Sequence, residues 1–429
     1  MNAPDTAFEG GPDVGVVPGM PEQIAHMTPV TDYREIADVL ASADFARTDL
    51  MTTPFKLETI SLTSGEEHSF RRRLEAKHFR PAVLRSTRAE AVQDAIEHVL
   101  GEAERADPDA DPLTVELAEL LPRITTLVMA EFVGLSLPSG TDKTTMLDEL
   151  TRYMVFVNSA AGLMFSRKDP IEEAWRIRKG LVEFTERYVM PSIFAKRAPG
   201  GLDPEADDLI STLVGAYDST NWDGELIVRE ATFYMVAGVR STSNTVLDAL
   251  HHLVEYLDER PDATVKALDE DDDFLIRTVA ESLRLHVPNP ALTRRALRSG
   301  VTKMGREYRE GDELVLHIPV AHQDERLFGP HPDRFDPYRR TSPEVPLWGL
   351  AFGHGHHACI GRSLALGRFD AARGGLLGYQ GTAVAILREL VRREVSLVPG
   401  SPPRLNAETF KVVFDSYPVH LRRARPGRR

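Results

Sequence analysis

One cysteine, Cys359, stands in a chain of 429 residues. A single thiol cannot close an intramolecular disulfide, and it is short of the ligands that a cysteine-based zinc site needs. Three glycines, Gly353, Gly355 and Gly361, surround it, Phe352 leads the stretch, and an apolar segment at 363–366 reads as the start of a helix. Glycine lets backbone approach a flat ligand closely and take a positive φ. A thiolate beside a helix N-terminus is stabilised by unpaired N–H groups and the helix dipole. A buried structural thiol is the other reading, and the commonest fate of a free cysteine. The glycine-flanked, aromatic-led setting argues for a ligand.

Other spacings could serve chemistry. His68 and Arg72 are four apart, so on a helix they share a face. Such a pair suits a doubly charged ligand, although a solvated basic helix has the same pattern. Residues 224–257 read as one helix of unusual length. Its interior holds Ala237, Gly238, Arg240, Ser241, Thr242, Ser243 and Asn244. Gly is unfavourable there, and Ser and Thr compete for backbone carbonyls, so a kink is expected. Glu281 and Arg284 can pair on one helical turn, which alone is a weak motif.

Residues 352–361 resemble the haem-binding loop of the cytochrome P450 family, Phe-Gly-x-Gly-x-His-x-Cys-x-Gly. Phe352, Gly353, Gly355, His357, Cys359 and Gly361 meet every fixed position. The resemblance implies haem b, with Cys359 as the axial thiolate of its iron and Phe352 and Gly361 around the sulfur, and dioxygen as co-substrate. It implies that His68, Arg72, Arg294 and His357 reach the haem propionates. It places Glu281 and Arg284 in a buried trio completed by Arg339, with Arg334 as the alternative. The implied fold is mainly α with small β-sheets, a single triangular haem-binding domain at 29–429 after a flexible arm at 1–28. Glycines and a tyrosine at 371–381 interrupt what the family keeps as one helix, and read as an insertion of about ten residues at a helix break.

The resemblance also carries a departure. Ala237 and Gly238 match the family's oxygen-binding groove, but Arg240 occupies its acid position and Ser241 its threonine position, with Thr242 following. Acid and alcohol normally organise proton delivery, and arginine cannot give up a proton near neutral pH. Either Arg240 points outward to a carboxylate and Ser241 supports hydroxylation, or the substrate's own N–H and O–H groups supply protons and a ring closes.

Composition bounds the rest. Hydrophobic residues make up 42% and charged residues 27%, as in a globular protein. No apolar run reaches the roughly 18 residues that span a membrane. Residues 1–19 lack the positive and apolar regions of a signal peptide. The expectation is a cytoplasmic monomer. A net charge of −14 argues against a nucleic-acid partner. No flavin or nicotinamide segment is evident, so electrons are expected from a ferredoxin and its ferredoxin reductase. The expected function is oxidation of a small natural-product intermediate, through intramolecular C–N or C–C bond formation on a small peptide-like substrate. The alternatives are an ordinary hydroxylating monooxygenase, a peroxide-using haem enzyme, and a haem sensor without turnover.

Overall fold

One helix, Gly224–Asp258, runs through the molecule for 35 residues, or about 52 Å at 1.5 Å per residue. Asp223 caps it by accepting from the Leu226 N–H at 2.7 Å. The computed structural model describes residues 22–48, 58–136, 142–157, 163–203, 205–260, 272–370 and 375–423. The expected kink at 237–244 does not end the helix, which continues through it. The competing hydroxyls turn back onto their own helix: Ser241 Oγ donates to the Ala237 carbonyl at 2.6 Å, and Thr245 Oγ1 to the Ser241 carbonyl at 2.8 Å.

The helix is apolar on several sides because other helices surround it. Val246, Leu250 and Leu253 pack with Phe274 and Val279 of Asp272–Leu285, with Ile386 and Leu387 of Thr382–Arg392, and with Leu121 and Ile124 of Leu117–Val133. Toward its N-terminus, Ile227, Ala231 and Met235 pack with Phe132, Leu150, Met154 and Phe184. Each such fully buried large side chain contributes about 1.5–3 kcal/mol. The fold is mainly α with small sheets.

A four-stranded sheet flanks the helices, in the order Thr28–Val30, Glu313–His317, Ala291–Ala296, Phe45–Arg47. Its first pair is parallel, and the other two are antiparallel. Gly311, with φ of 88°, turns the chain before Glu313–His317, but the strands beside that turn pair elsewhere rather than as one hairpin. The expected arm does not extend to residue 28. Glu22–Ala25 is helical, Ile24 and Met27 are buried against Phe165 and Val315, and Thr28 opens the sheet.

The loop that carries Cys359 is held from below by a buried charge cluster. Arg284 donates to both oxygens of Glu281 at 2.8 Å, and Arg339 Nε donates to Oε1 at 2.7 Å. Arg339 also donates to the carbonyls of Phe328, Pro330, His331 and Arg334. Arg339 is therefore the third member, and Arg334 contributes only its backbone. His322 extends the cluster to the loop: the Leu350 N–H donates to Nε2 at 2.8 Å, so Nδ1 carries the proton and donates to the Arg284 carbonyl at 2.7 Å. A Cβ at Gly349 would lie 2.3 Å from His322 Nε2.

The helix after Cys359, Arg362–Leu366, stops at Gly367, whose φ is 94°. A hairpin follows, Gly367–Asp370 against Gly375–Gln380, and helix resumes at Thr382. A Cβ on Gly381 would lie 2.4 Å from the Ala365 carbonyl and the Gly367 nitrogen, so the two ends of the excursion touch. The interruption thus begins at 367 rather than 371. Residues 371–374 lie outside the described residues.

Two outcomes follow. Arg339→Ala strands Glu281 with one partner fewer, and a loss of about 3–5 kcal/mol is expected in urea unfolding, as for other broken buried pairs. Burial drives the His322 pKa from 6.5 down to about 3. Its folded value is depressed, so the unfolded chain takes up protons first, and stability falls as pH drops from about 6.5 toward 3. His322→Asn is expected to be less stable than wild type at pH 8, with the gap narrowing at pH 5. A gap that stays constant would assign the acid sensitivity to other histidines.

Candidate active site

Cys359 lies at the floor of a cavity of about 800 Å³. Gly353 and Gly355 both adopt positive φ, 68° and 69°. Gly355 is the demanding one, since a Cβ there would come within 2.6 Å of the Ala41 Cα. That close approach seats the loop on the helix Tyr33–Ala41. The Cys359 N–H donates to the Phe352 carbonyl at 2.8 Å, which folds the loop back under the sulfur. Phe352 packs edge-on against Trp348, and Arg362 lies 5.2 Å over the Trp348 ring. The sulfur is open to the cavity yet enclosed from bulk water. Burial pushes the thiol up, while the Gly361 and Arg362 N–H groups and the Arg72 and Arg362 charges pull it down. Those donors favour the thiolate, the form that binds metal.

Positive groups converge on one wall of the cavity. His68 stacks on His357 with ring centres 4.3 Å apart. His68 Nε2 is buried and has no hydrogen-bond partner. Arg72 reaches the Ala358 carbonyl at 2.5 Å. Arg294, 5% exposed, donates to its own strand at Thr293. Arg47, which sequence reading missed, is the register partner of Arg294 on the neighbouring strand, so both side chains leave the same face of the sheet. Arg294 is pushed down to about 9 by burial and by Arg47. His357 falls to about 4 through burial and the charges of His68, Arg294, Arg47 and Arg72. His68 is lowered by burial first, then by Arg72, His356 and Arg71. Every charge that shifts these groups is positive.

That wall fits a bound dianion. Like charges opposed across a strand pair are destabilising unless an anion lies between them. The two propionates of haem b would supply that anion, and Cys359 would supply the axial thiolate. His68, Arg72, Arg294 and His357 would hold the carboxylates, with Arg47 beside them. A Cβ on Gly361 would meet only ordinary contacts, 3.8 Å from Cys359 Sγ and 4.0 Å from Phe79. Packing within the protein does not demand that glycine, and a close approach of a flat ligand is the remaining reason for it.

The central helix forms the opposite wall. Ala237, Arg240, Ser241, Asn244, Thr245 and Asp248 all line the cavity, at the 3–1–3–1–3 spacing of one helical stripe. Thr242 and Gly238 border it too. Gly238 lacks a side chain for a packing reason, because a Cβ there would sit 2.4 Å from the Met129 sulfur. Arg240 does not turn outward to a carboxylate, and it forms no ion pair or side-chain hydrogen bond among the described residues. Asp248, also missed by sequence reading, is 6% exposed and lies 3.5 Å from His286 Nδ1. Only the helical period from Ser241 could have signalled it. Val287, Leu292 and Phe410 border the cavity as well, whereas Phe165 is buried in the core.

This geometry fits a haem-thiolate site, and comparisons with known proteins show the family. A sequence model described as cytochrome P450 matches residues 25–369, ending inside the 367–380 hairpin. The chain belongs to the cytochrome P450 family, whose cofactor is haem b and whose co-substrate is dioxygen. It is 26% identical to nocardicin C N-oxygenase of Nocardia uniformis subsp. tsuyamanensis, over 84% of each chain. It is 28% identical to mycinamicin IV hydroxylase/epoxidase of Micromonospora griseorubida, over 78% of this chain and 77% of the other. The match to putative cytochrome P450 YjiB of Bacillus subtilis is 30% identical but spans only 48% of that protein. Among solved structures, CalO2 superposes with a TM-score of 0.69 at 20% identity, covering 94% of this chain and 92% of the other. No described helix is long and apolar enough to cross a membrane.

Cys359→His is expected to abolish the thiolate band of the reduced, carbon monoxide-bound protein. Arg294→Leu is expected to weaken haem retention by about 1.5–3 kcal/mol, the contribution of one charge-assisted hydrogen bond. Haem transfer to an apo-globin measures that loss. Unchanged haem retention with an altered product ratio would place Arg294 in the substrate pocket instead.

Proposed function

We propose that the protein is a haem-thiolate monooxygenase that oxidises a small natural-product intermediate by ring closure. Bound haem b supplies dioxygen activation, and an axial thiolate favours O–O cleavage. Cys359 holds that ligand position, and the His68, Arg72, Arg294 and His357 wall orients the cofactor. Ala237 and Gly238 line the same cavity. The relatives named for nocardicin C and mycinamicin IV support a natural-product substrate.

The observation that carries ring closure is the chemistry of the stripe facing the cavity. At the Arg240–Ser241 turn there is a cation in place of an acid, and the Ser241 hydrogen is spent on the Ala237 carbonyl. Neither group offers an acidic proton to the cavity. Hydroxylation adds one oxygen atom and releases the other as water, consuming two electrons and two protons. Ring closure consumes the same two electrons and two protons and also removes two hydrogens from the substrate, so both oxygen atoms leave as water. In this reading the substrate's own polar groups, and not the helix, relay the protons. It draws hydrogen from the substrate's own N–H, O–H or C–H groups, which suits a peptide-like molecule.

Asp248 favours a second reading, ordinary hydroxylation. It is the acid of the stripe, with Thr245 between it and Ser241. The two residues are seven apart, about 10 Å along the axis, so water would have to bridge them. In both readings the electrons come from a ferredoxin and its reductase, docking on the Cys359 side near Arg362 and the exposed Arg368. The setting is the cytoplasm.

Labelled dioxygen separates the two readings. An accepted substrate is converted by wild type, Ser241→Ala, Arg240→Asp and Asp248→Asn with a ferredoxin system, and products are weighed. A label-free product two hydrogens lighter, still formed by Ser241→Ala, is expected for ring closure. Incorporated label that disappears in Ser241→Ala or Asp248→Asn establishes hydroxylation through the helix. Turnover with hydrogen peroxide alone, matching the ferredoxin system, would overturn the electron route.

A further inference from the structure

We propose that Arg240 and Asn244 form the polar end of the substrate cavity and select a small carboxylic acid that carries a nearby N–H or O–H donor. The inference rests on the monooxygenase reading, and names the substrate class of that same site.

Arg240 sits on the cavity-facing stripe of the central helix, three residues after Ala237. Its guanidinium has no hydrogen-bond or ion-pair partner among the described residues, and burial is the single cause lowering its pKa. No carboxylate among the described residues enters its surroundings. Asp248 lies eight residues on, about 12 Å along the axis, and is opposed by His286. Other cations bordering the cavity have partners: Arg176 faces Glu173 at 3.6 Å and Lys168 faces Glu408 at 2.6 Å. A buried charge without a counter-ion is costly, and a ligand that brings the opposite charge removes that cost.

The haem propionates are not that counter-ion. The charges that perturb His68, Arg294 and His357 do not include Arg240. Arg240 belongs to the opposite wall. One guanidinium matches one monoanion, and its planar fork binds a carboxylate through two parallel hydrogen bonds. A phosphate dianion would leave charge uncompensated.

Asn244 adds the second contact. It lies one turn beyond Arg240, on the same face, and its Oδ1 is buried without a partner. An unpaired buried acceptor calls for a donor. A molecule with a carboxylate and an N–H a few atoms apart satisfies both residues, as an N-acylated amino acid or a peptide C-terminus does.

The test uses holoenzyme and a panel of N-acetyl amino acids with apolar side chains, each paired with its C-terminal amide. Binding is followed by the shift of the main haem absorption band and by calorimetry. At least one acid is expected to bind about tenfold or more tighter than its amide, the factor a charge-assisted bidentate pair supplies. Arg240→Gln should erase that preference, and Arg240→Lys should restore part of it. Asn244→Leu should weaken the N-acetyl acid but not the matching acid that lacks the N–H. The proposal is overturned if no acid binds better than its amide to wild type, a comparison that needs no variant. It is equally overturned if Arg240→Gln keeps the preference. The monooxygenase reading fails on a different measurement, absence of the thiolate band in the carbon monoxide-bound wild type.

Discussion

A sulfur that must carry negative charge inside a protein sets the terms for everything around it. Burial alone pushes the Cys359 thiol the wrong way. The correction is local: N–H groups of Gly361 and Arg362 at the start of a helix, and the guanidiniums of Arg72 and Arg362. These donors face the sulfur only if the chain folds back at Phe352 and passes Ala41 at a distance that only glycine allows. The loop's shape is therefore an electrostatic requirement expressed as backbone geometry.

That shape is not self-supporting. It hangs from Leu350, whose N–H is held by His322, whose other nitrogen is held by the Arg284 carbonyl, whose side chain grips Glu281. Glu281 in turn collects Arg339, which gathers four carbonyls of the segment leading to the loop. A buried ion pair of this kind is weak grounds for stability but a good way to specify one arrangement, since any other leaves charges unpaired. The imidazole of His322 spans both partners, the Leu350 N–H and the Arg284 carbonyl.

Much of this was legible in the sequence, and the reasons differ by element. The Cys359 loop is read from consecutive residues, so its pattern survives without any knowledge of the fold. His68–Arg72 and Glu281–Arg284 are single helical turns, which spacing also reports. Arg47 was invisible because its meaning comes from pairing across the sheet with Arg294, more than two hundred residues away. Asp248 was hidden inside a helix whose face is fixed only by its neighbours. The side-chain competition for carbonyls expected at 237–244 is met within the helix, where Ser241 and Thr245 donate to carbonyls four residues back. The interruption after Cys359 was visible as glycines, but its start at Gly367 was not, since a strand can continue a helical sequence when its partner strand follows closely.

The central helix then shows how one substitution changes two properties at once. At the position where the family keeps an acid, a guanidinium can neither donate a proton near neutral pH nor remain buried without an anion. The first property moves proton traffic elsewhere, toward the substrate or along the stripe to Asp248. The second would make an anionic substrate a structural partner of the cavity wall, as proposed. These consequences reinforce each other. A substrate anchored by its carboxylate at Arg240 lies close to the helix face, so its own N–H and O–H groups occupy the space where a water relay from Ser241 would run. In the proposed reading, binding and proton supply thus draw on the same few ångströms of this helix face.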